Sequence, residues 1–344
     1  MAITKQTILI TGAGGWLGSM LAGTIAAREP NVQFSFILCD IVEPKAPKGV
    51  NNAQFVCLKA DLSEPSSLDA IFSTPLGKPD VAYLMHGIMS LGSEENWDLG
   101  MKINMDSVRS VLEKARHSRN EAGEAIRVVF TSSVASYGGD LPDVVTTETA
   151  CFPEGAYGCG KLIGEYLVTE YTRRGFVNGI SVKLPTIVPR PGAPSRATSA
   201  FVSGIVREPL NGQEAICPVG SSASDPVLND VGVWVAKPST TLTNLAMAKD
   251  IVADPLLSKK MLRWTRSVML PGFTVNISQI IEALRNVRGD QAVDLIKFEH
   301  DETCARIVKS WPRAFETKYP LSLGFKIDED GFEGAIKEYM ASYA

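Results

Sequence analysis

The sequence predicts an α/β fold in which helices cover both faces of a parallel sheet, with a smaller lobe in the second half of the chain. Short apolar runs rich in β-branched residues alternate with helical patterns through the first half, as in consecutive βαβ units. The first of these runs passes through a glycine-rich turn directly into a helix. After residue 185 the pattern changes to stretches rich in proline and glycine with shorter helices, which indicates a second structural part.

The elements follow one another in a regular order. Strands are predicted at residues 7–11, 33–39, 53–58, 79–85, 126–131 and 177–184. Helices are predicted after Gly18, after Ser63, at about 94–119 and at 156–174, and then near 197–210, 239–250, 275–287 and 328–341.

This order predicts two domains. We expect residues 1–185 to form the first, with part of 230–255 returning to it, and residues 186–344 to form mainly a substrate-binding lobe. Open α/β sheets bind ligands beyond the carboxyl ends of their strands, so we expect the lobe to lie over those ends.

Composition narrows the classes of function. The 344 residues carry a formal net charge of -4 and contain no run of Lys and Arg, which argues against a nucleic-acid partner. The three histidines and six cysteines lack the spacing of metal ligands, so we expect no metal site. The sequence shows neither a signal-peptide pattern nor an apolar run long enough to cross a membrane, so we expect a cytoplasmic protein with reduced thiols.

A phosphate-binding turn is predicted between the first strand and the first helix, where the chain reads TGAGGWLG. Gly12, Gly15 and Gly18 suit a tight turn, a close backbone approach to a pyrophosphate and close packing of helix on strand. The N–H groups of the helix N-terminus, at Trp16 and Leu17, add a positive dipole. The pattern is typical of a Rossmann-type, doubly wound parallel sheet that binds a dinucleotide.

Two carboxylates follow the second and third strands. Asp40 ends the second strand 22 residues after Gly18, where a carboxylate accepts hydrogen bonds from ribose hydroxyls and repels a 2′-phosphate, which favours NAD over NADP. Asp61, followed by Leu62, fits a contact with the adenine edge, although a turn aspartate explains it nearly as well.

The chemical groups are predicted at the fifth strand and the helix after it. Ser133 follows the fifth strand, and Tyr157 and Lys161 share one face of the helix at 156–174. An ammonium beside a phenol stabilises the phenolate and lowers the phenol pKa, which suits general acid–base catalysis. We expect Gly158 and Gly160 to let this first turn lie close to the cofactor and to the strand that carries the serine.

These motifs resemble those of the extended short-chain dehydrogenases/reductases, the NAD-dependent epimerase/dehydratase family. The resemblance covers essentially the whole chain and implies that Lys161 also holds the nicotinamide ribose, that Ser133 orients the reacting oxygen and that Asn104 assists a proton relay. A surface position is the alternative for Asn104. The resemblance also implies a homodimer formed through the helices near 94–119 and 156–174. The expected cofactor contacts are Gly12, Gly15, Trp16, Leu17, Gly18, Asp40, Asp61, Leu62, Tyr157, Lys161 and Pro185.

The family contains several reactions, and the sequence separates some of them. Val134 and Ala135 stand where sugar-nucleotide dehydratases usually carry an acid/base pair, so dehydration is disfavoured. Residues 184–219, 233–248 and 307–325 resemble the D-erythronate dehydrogenase-like branch, which implies oxidation of a polyhydroxy acid. A ketoreductase for an aromatic or polyketide ketone, a sugar-nucleotide epimerase and a non-catalytic dinucleotide sensor remain as alternatives.

An acidic substrate needs a cationic partner. Arg190, Arg196 and Arg207 are the candidates, because a guanidinium binds a carboxylate through two parallel hydrogen bonds. The branch more often reads Arg-Pro-Gly-Lys-Pro-Asn where this chain has RPGAPS at 190–195, which leaves a different ketone substrate open. The expected substrate contacts are Ser90, Ser133, Tyr157, Thr186 and these arginines. His86 departs from the family pattern, and we expect it to pack rather than to line the cofactor channel.

Overall fold

The computed structural model describes residues 4–192 and 200–343. The chain divides into two compact units. The first comprises Met1–Ser136, Gly155–Lys183 and Leu242–Val268, and the second comprises Tyr137–Glu154, Leu184–Thr241 and Met269–Ala344. No helix in the described part of the chain is both long enough and apolar enough to span a membrane.

The strands of the described residues lie in three sheets. They are β1 (Thr4–Thr11), β2 (Val32–Asp40), β3 (Ala53–Lys59), β4 (Val81–Leu84), β5 (Arg127–Ser133), β6 (Asn178–Leu184), β7 (Thr186–Ile187), β8 (Ala215–Cys217), β9 (Gly232–Ala236), β10 (Ser267–Met269), β11 (Phe273–Asn276) and β12 (Ile296–Phe298).

The helices connect and cover these strands. They are α1 (Trp16–Arg28), α2 (Pro65–Phe72), α3 (Ser90–Glu95), α4 (Trp97–Met101), α5 (Ser107–His117), α6 (Ala156–Arg173), α7 (Ala200–Leu210), α8 (Pro238–Ala253), α9 (Pro255–Lys260), α10 (Ile277–Arg288), α11 (Asp290–Val293), α12 (Glu302–Lys309), α13 (Lys318–Ser322) and α14 (Gly331–Tyr343).

The large sheet has seven strands in the order β10-β6-β5-β4-β1-β2-β3. β1 pairs in parallel with β2 and with β4, so the strand order reverses at β1. β2 with β3 and β4 with β5 are also parallel pairs. The predicted doubly wound parallel sheet is therefore confirmed, and the six predicted strands are its β1 to β6.

Burial explains why these runs form central strands. In β1, Ile8, Leu9 and Ile10 are completely buried, as expected for a parallel strand with helices on both faces. Tyr83 of β4 donates a hydrogen bond from its hydroxyl to the Leu245 carbonyl of α8, at 3.1 Å. The part of α8 from Leu242 onward thereby packs with the first unit, in the sequence region that we expected to return to it.

The long helix predicted at 94–119 is interrupted at Asn96 and is otherwise continuous from Trp97 to His117. The short helix α3 precedes the break, and after it α4, a π-helical turn (Lys102–Asp106) and α5 follow one another directly. Asn96 has φ -140° and ψ 88°, outside the helical region, and its side chain accepts a hydrogen bond from the Leu99 N–H to cap α4. The π-helical turn contains Asn104, which is completely buried.

The second unit contains strands that the sequence did not indicate. β7, β9 and β11 form a three-stranded sheet, and β8 pairs with β12. Both sheets pack with α7, α10 and α14 around one apolar cluster, whose completely buried members include Leu284 and Ile336. These strands have two to five residues, too few to give a period-two pattern.

Candidate active site

The glycine-rich turn between β1 and α1 is closely packed. Gly12 has φ 69°, a conformation that favours glycine. A Cβ on it would lie 2.7 Å from the backbone nitrogen of His86. A Cβ on Gly18 would lie 2.1 Å from the Gly12 carbonyl oxygen. Helix α1 begins at Trp16 after Gly15, with no side chain capping its N-terminus and no acidic residue in its first turn. The N-cap residue therefore offers no side chain to the N–H groups of Trp16 and Leu17 at the positive end of the helix dipole.

A cavity of about 340 Å³ lies beside this turn within the first unit. The cofactor residues predicted from sequence that line it are Gly12, Asp40, Asp61 and Leu62. Asp40 accepts a hydrogen bond from the Gly14 N–H at 2.9 Å and another from the Ile41 N–H at 2.7 Å. A Cβ on Gly14 would lie 3.1 Å from the Asp40 carboxylate, so this glycine allows the acid to close on the turn.

Asp61 combines the two interpretations that the sequence left open. It lines the cavity, and its Oδ1 also accepts hydrogen bonds from the backbone and the hydroxyl of Ser63. These bonds from Ser63 lower the pKa of Asp61, so the carboxyl is ionised at neutral pH.

The residues present fit a dinucleotide with a pyrophosphate and an unphosphorylated adenosine ribose. Side chains on Gly12 and Gly18 would clash with the backbone of the loop after β4 and of the turn itself, so both glycines let the turn and α1 pack as closely as a dinucleotide-binding turn requires. The Asp40 carboxylate at the cavity suits ribose hydroxyls and repels a phosphate at the same place.

His86 lines the same cavity, and its ring also packs between β1 and α5, so the two interpretations of this residue hold together. Its Nδ1 lies 2.7 Å from the Thr11 hydroxyl, and its Nε2 lies 2.9 Å from the Ser107 hydroxyl. Ser107 donates its own proton to the Ile103 carbonyl, so the Ser107 oxygen accepts a hydrogen bond from Nε2–H of His86. Burial, with a smaller contribution from the Lys161 ammonium, lowers the pKa of His86 to about 3. The imidazole is therefore neutral and joins β1 to α5.

Asn104 holds the loop after β4. Its Oδ1 accepts a hydrogen bond from the Ile88 N–H at 2.9 Å, and its Nδ2 donates to the Ile88 carbonyl and the Ser93 hydroxyl. The alternative of a surface position is wrong, because Asn104 is completely buried. Through these bonds Asn104 fixes the backbone at Ile88. Its part in a proton relay stays a prediction.

Ser133 is the last residue of β5 and is half-buried. Its Oγ accepts a hydrogen bond from the Ala135 N–H at 3.1 Å, within a 3₁₀ turn (Val134–Ser136). This turn packs against α6, the helix that carries Tyr157 and Lys161. The hydroxyl keeps one proton to donate.

Tyr157 and Lys161 lie in the first two turns of α6, and both are buried. The Lys161 Nζ lies 5.7 Å from the centre of the Tyr157 ring and 5.0 Å from the centre of the Phe130 ring. The Glu94 carboxylate accepts a hydrogen bond from the Ala156 N–H at 2.7 Å and so caps α6, whose N-cap residue is a glycine.

Burial lowers the pKa of Lys161 to about 8, and the negative charge of Glu165 opposes this change. Lys161 is only 4% exposed, so desolvation of its charged form is the dominant cause. The ammonium is mainly protonated at neutral pH and begins to lose its proton at mildly alkaline pH.

Two glycines let α6 lie close to neighbouring elements, but Gly160 does not contact the strand that we expected. A Cβ on Gly160 would lie 2.8 Å from the Asn104 Cβ, so this glycine lets α6 approach the π-helical turn rather than the serine strand. It is Gly164, one turn later, that faces β5, because a Cβ there would lie 2.5 Å from the Phe130 ring.

The remaining predicted contacts are distributed over both units. Ser90 begins α3 in the first unit and is exposed. In the second unit, Pro185 and Thr186 are buried, and Thr186 pairs with Val235 of β9. These placements leave the roles of Ser90, Pro185 and Thr186 as predictions.

The predicted arginines have different surroundings. Arg207 is buried, and its guanidinium donates to Glu208 at 2.5 Å and to the Arg190 carbonyl at 3.0 Å. Arg190 donates from Nε to the Ile187 carbonyl at 3.2 Å. Arg196 lies outside the described residues.

Several side chains around the candidate catalytic groups were not singled out from the sequence. Glu94 and Lys183 contact these elements from positions distant along the chain, and Glu165 lies on α6 itself. The signal for Glu165 was its i+4 spacing from Lys161 on the same helix. Glu94 and Lys183 had no sequence signal, because only the tertiary fold brings them close. Within residues 4–192 and 200–343, no group of three or more His, Cys, Asp or Glu side chains is arranged to hold a metal ion.

The neutral state of His86 predicts a dependence of stability on pH. The folded protein keeps His86 unprotonated down to a pKa of about 3, whereas the unfolded chain takes up the proton near pH 6.5. Between these values the unfolded state binds more protons, so the free energy of unfolding falls as the pH falls. Because the residue as a whole is only partly buried, we expect about 1 kcal/mol of stability to be lost from this source between pH 7 and pH 5.

Urea unfolding of the wild type and of His86→Gln at both pH values measures this effect. The glutamine does not titrate, so the variant should lose about 1 kcal/mol less than the wild type between pH 7 and pH 5. His117→Gln, which changes an exposed histidine, is the matched control and should behave as the wild type. Equal pH dependence in the wild type and His86→Gln contradicts the assignment.

Comparison with known proteins agrees with this geometry. Residues 8–225 match the model of the NAD dependent epimerase/dehydratase family. A D-erythronate dehydrogenase from Haemophilus influenzae is 36% identical over 334 residues, and one from Cupriavidus necator is 37% identical over 342 residues. Each alignment covers 97% of this chain and 98% of the relative.

Solved structures share the fold. The crystal structure of a nucleoside-diphosphate-sugar epimerase from Agrobacterium tumefaciens has a TM-score of 0.88 and 34% sequence identity, and covers 100% of this chain and 96% of its own. A GalE-like L-threonine dehydrogenase from Cupriavidus necator has a TM-score of 0.78 at 22% identity, over 98% of this chain and 100% of its own, which shows the fold alone. The matches over most of the chain confirm the predicted resemblance and NAD as the cofactor of the family: the chain belongs to the NAD-dependent epimerase/dehydratase family.

Proposed function

We propose that the protein is an NAD-dependent dehydrogenase that oxidises a polyhydroxy acid at the hydroxyl next to its carboxylate. The observation that carries the proposal is the buried Lys161 ammonium beside the Tyr157 ring on one face of α6. The two D-erythronate dehydrogenases that align with nearly the whole chain support the class of substrate.

The candidate residues divide the reaction between them. Tyr157, as the phenolate, removes the proton of the substrate hydroxyl, and Lys161 stabilises that phenolate by its positive charge. Ser133 donates a hydrogen bond to the reacting oxygen and so fixes its position. Bound NAD would supply the hydride acceptor for the carbon that carries this hydroxyl, so the products would be a ketone, NADH and one proton. Gly12, Gly18 and Asp40 would hold the cofactor.

An acidic substrate also needs a cation. The charge of Arg207 is balanced by Glu208, so we propose that the substrate carboxylate pairs with Arg190 or Arg196 instead. Thr186 and Ser90 are proposed as hydroxyl contacts, and Pro185 as a contact of the cofactor.

A sugar-nucleotide epimerase is the second candidate. It is favoured by the 34% identity to the structure described as a nucleoside-diphosphate-sugar epimerase. Epimerisation also begins with oxidation of an alcohol, so Ser133, Tyr157 and Lys161 serve both candidates. The two reactions differ in their products, because only the dehydrogenase releases NADH into solution.

The decisive assay follows NADH formation from NAD and a panel of four- to six-carbon sugar acids. Separate arms follow the epimer formed from nucleoside-diphosphate sugars and the NADH consumed with aromatic ketones. We expect NADH with at least one acid. Tyr157→Phe removes the acid–base group and should lower kcat about 100- to 10,000-fold. Tyr166→Phe, at an exposed position of the same helix, is the matched control and should keep the wild-type rate.

Either of two results contradicts the proposal. If no acid yields NADH while a nucleoside-diphosphate sugar is epimerised or an aromatic ketone is reduced, the substrate class is wrong. If Tyr157→Phe keeps the wild-type rate, the tyrosine is not the acid–base group.

We also propose a homodimer formed through α4, α5 and α6. Trp97 of α4 and Tyr166 of α6 are 61% and 64% exposed, and α4 packs against α6 in the first unit. Large aromatic side chains at exposed positions are enriched in protein interfaces, which supports a second copy of this chain as the partner.

Light scattering after size exclusion tests the dimer. We expect twice the mass of one chain for the wild type and one chain for Tyr166→Glu, because a carboxylate at a buried interface is costly to desolvate. A wild-type protein that is monomeric at micromolar concentration contradicts the dimer.

We propose the cytoplasm as the location of the protein, since the reaction consumes NAD and cysteines such as Cys39 are present as free thiols.

A further inference from the structure

An ion pair between α6 and β6 is almost completely buried. The Lys183 Nζ lies 2.7 Å from the Glu165 Oε1, and the two side chains are 5% and 4% exposed. Desolvation of two charges is expensive, and a pair of apolar residues of similar volume often gives equal or greater stability. Stability alone therefore does not explain why the chain has charges at these two positions.

The pair is tied to both ends of the turn that contains Ser133. Ser132 donates a hydrogen bond from its hydroxyl to the Glu165 Oε1. On the other side of Ser133, the Lys183 Nζ donates to the Ser136 hydroxyl at 2.6 Å. Ser136 in turn donates to the Ser133 carbonyl at 2.9 Å. The backbone that presents the Ser133 hydroxyl is thus fixed on both sides by one carboxylate and its partner ammonium.

The same carboxylate acts on Lys161. Glu165 follows Lys161 by four residues on α6, so both lie on one face of the helix. Its negative charge opposes the desolvation that lowers the pKa of Lys161. In the described part of the chain, Tyr157 on α6 and the neutral His86 from the loop after β4 also face Lys161, while the Phe130 ring of β5 covers it.

We propose that Glu165 is a positioning residue that serves both candidate catalytic groups: with Lys183 it fixes the turn that presents Ser133, and by its charge it holds Lys161 in the protonated state. This inference rests on the proposed function, because it concerns the residues that carry out the proposed oxidation. The Glu165–Lys183 pair connects the end of β5 to α6, and the motif residues Ser133, Tyr157 and Lys161 do not provide this connection.

Two variants separate positioning from simple packing. Glu165→Gln removes the charge but leaves Lys183 buried without its partner, which is expected to destabilise the fold. Glu165→Gln combined with Lys183→Met leaves a neutral pair, so it should fold even where the single variant does not. Glu170→Gln is the matched control, because Glu170 lies on the same helix and forms exposed ion pairs with Arg173 and Arg174.

The first measurement needs neither substrate nor cofactor. The ε-carbons of the lysines are labelled with ¹³C and titrated by NMR, and the Lys161 signal is identified by its loss in Lys161→Met. We expect titration near pH 8 in the wild type and at a lower pH in Glu165→Gln, where the Glu165 charge is lost and the Lys183 charge stays. Glu170→Gln should titrate as the wild type.

The second measurement is steady-state kinetics with the acid that the wild type oxidises. We expect the double variant to lose about 10- to 100-fold in kcat, because Ser133 is no longer fixed, with KM nearly unchanged. In Glu165→Gln, kcat should also decline at lower alkaline pH than in the wild type, because the Glu165 charge is lost and the Lys183 charge stays. Simple packing predicts neither change.

The outcomes distinguish the two proposals. A folded double variant with wild-type kcat, together with a wild-type Lys161 titration in Glu165→Gln, overturns the positioning role. If the wild type oxidises no acid, the proposed function fails, and the NMR titration still decides whether Glu165 holds Lys161 protonated.

Discussion

The burial of one ammonium group determines how the rest of the candidate active site is built. Lys161 is 4% exposed, and a cation so far from water needs compensation. The Phe130 ring lies under the ammonium at 5.0 Å, a favourable place for a cation, and Glu165 supplies the opposite charge one turn along the helix. Burial removes water from around the ammonium, and a poorly hydrated cation interacts strongly with a neighbouring phenol.

Close packing of helices on strands places that ammonium. Gly160 lets α6 approach the turn of Asn104, and Gly164 lets it approach Phe130 of β5, at distances that no side chain would allow. Asn104 in turn holds the loop after β4 by hydrogen bonds to Ile88. The glycines therefore let α6 pack closely on the π-helical turn and on β5. This packing sets the position of Lys161.

Local signals made much of the first unit predictable from sequence. The glycine turn, Asp40 and the pair Tyr157 and Lys161 have fixed spacings, and the fully apolar strands identify a parallel sheet. The division of residues 90–117 was not predictable, because it depends on the cap formed by Asn96 and on burial of Asn104. The short strands of the second unit carry no periodicity. Glu94 and Lys183, which support the site, come from distant parts of the chain, so spacing does not reveal them.

The central claim is that the Lys161 ammonium stabilises the ionised form of Tyr157. The most direct test is a near-ultraviolet titration of the Tyr157 phenol in the protein without substrate, obtained by subtracting the spectrum of Tyr157→Phe. The same subtraction in a Lys161→Met background gives the reference. The account predicts that the phenol ionises at a lower pH when Lys161 is present. Ionisation at the same pH in both backgrounds would contradict it.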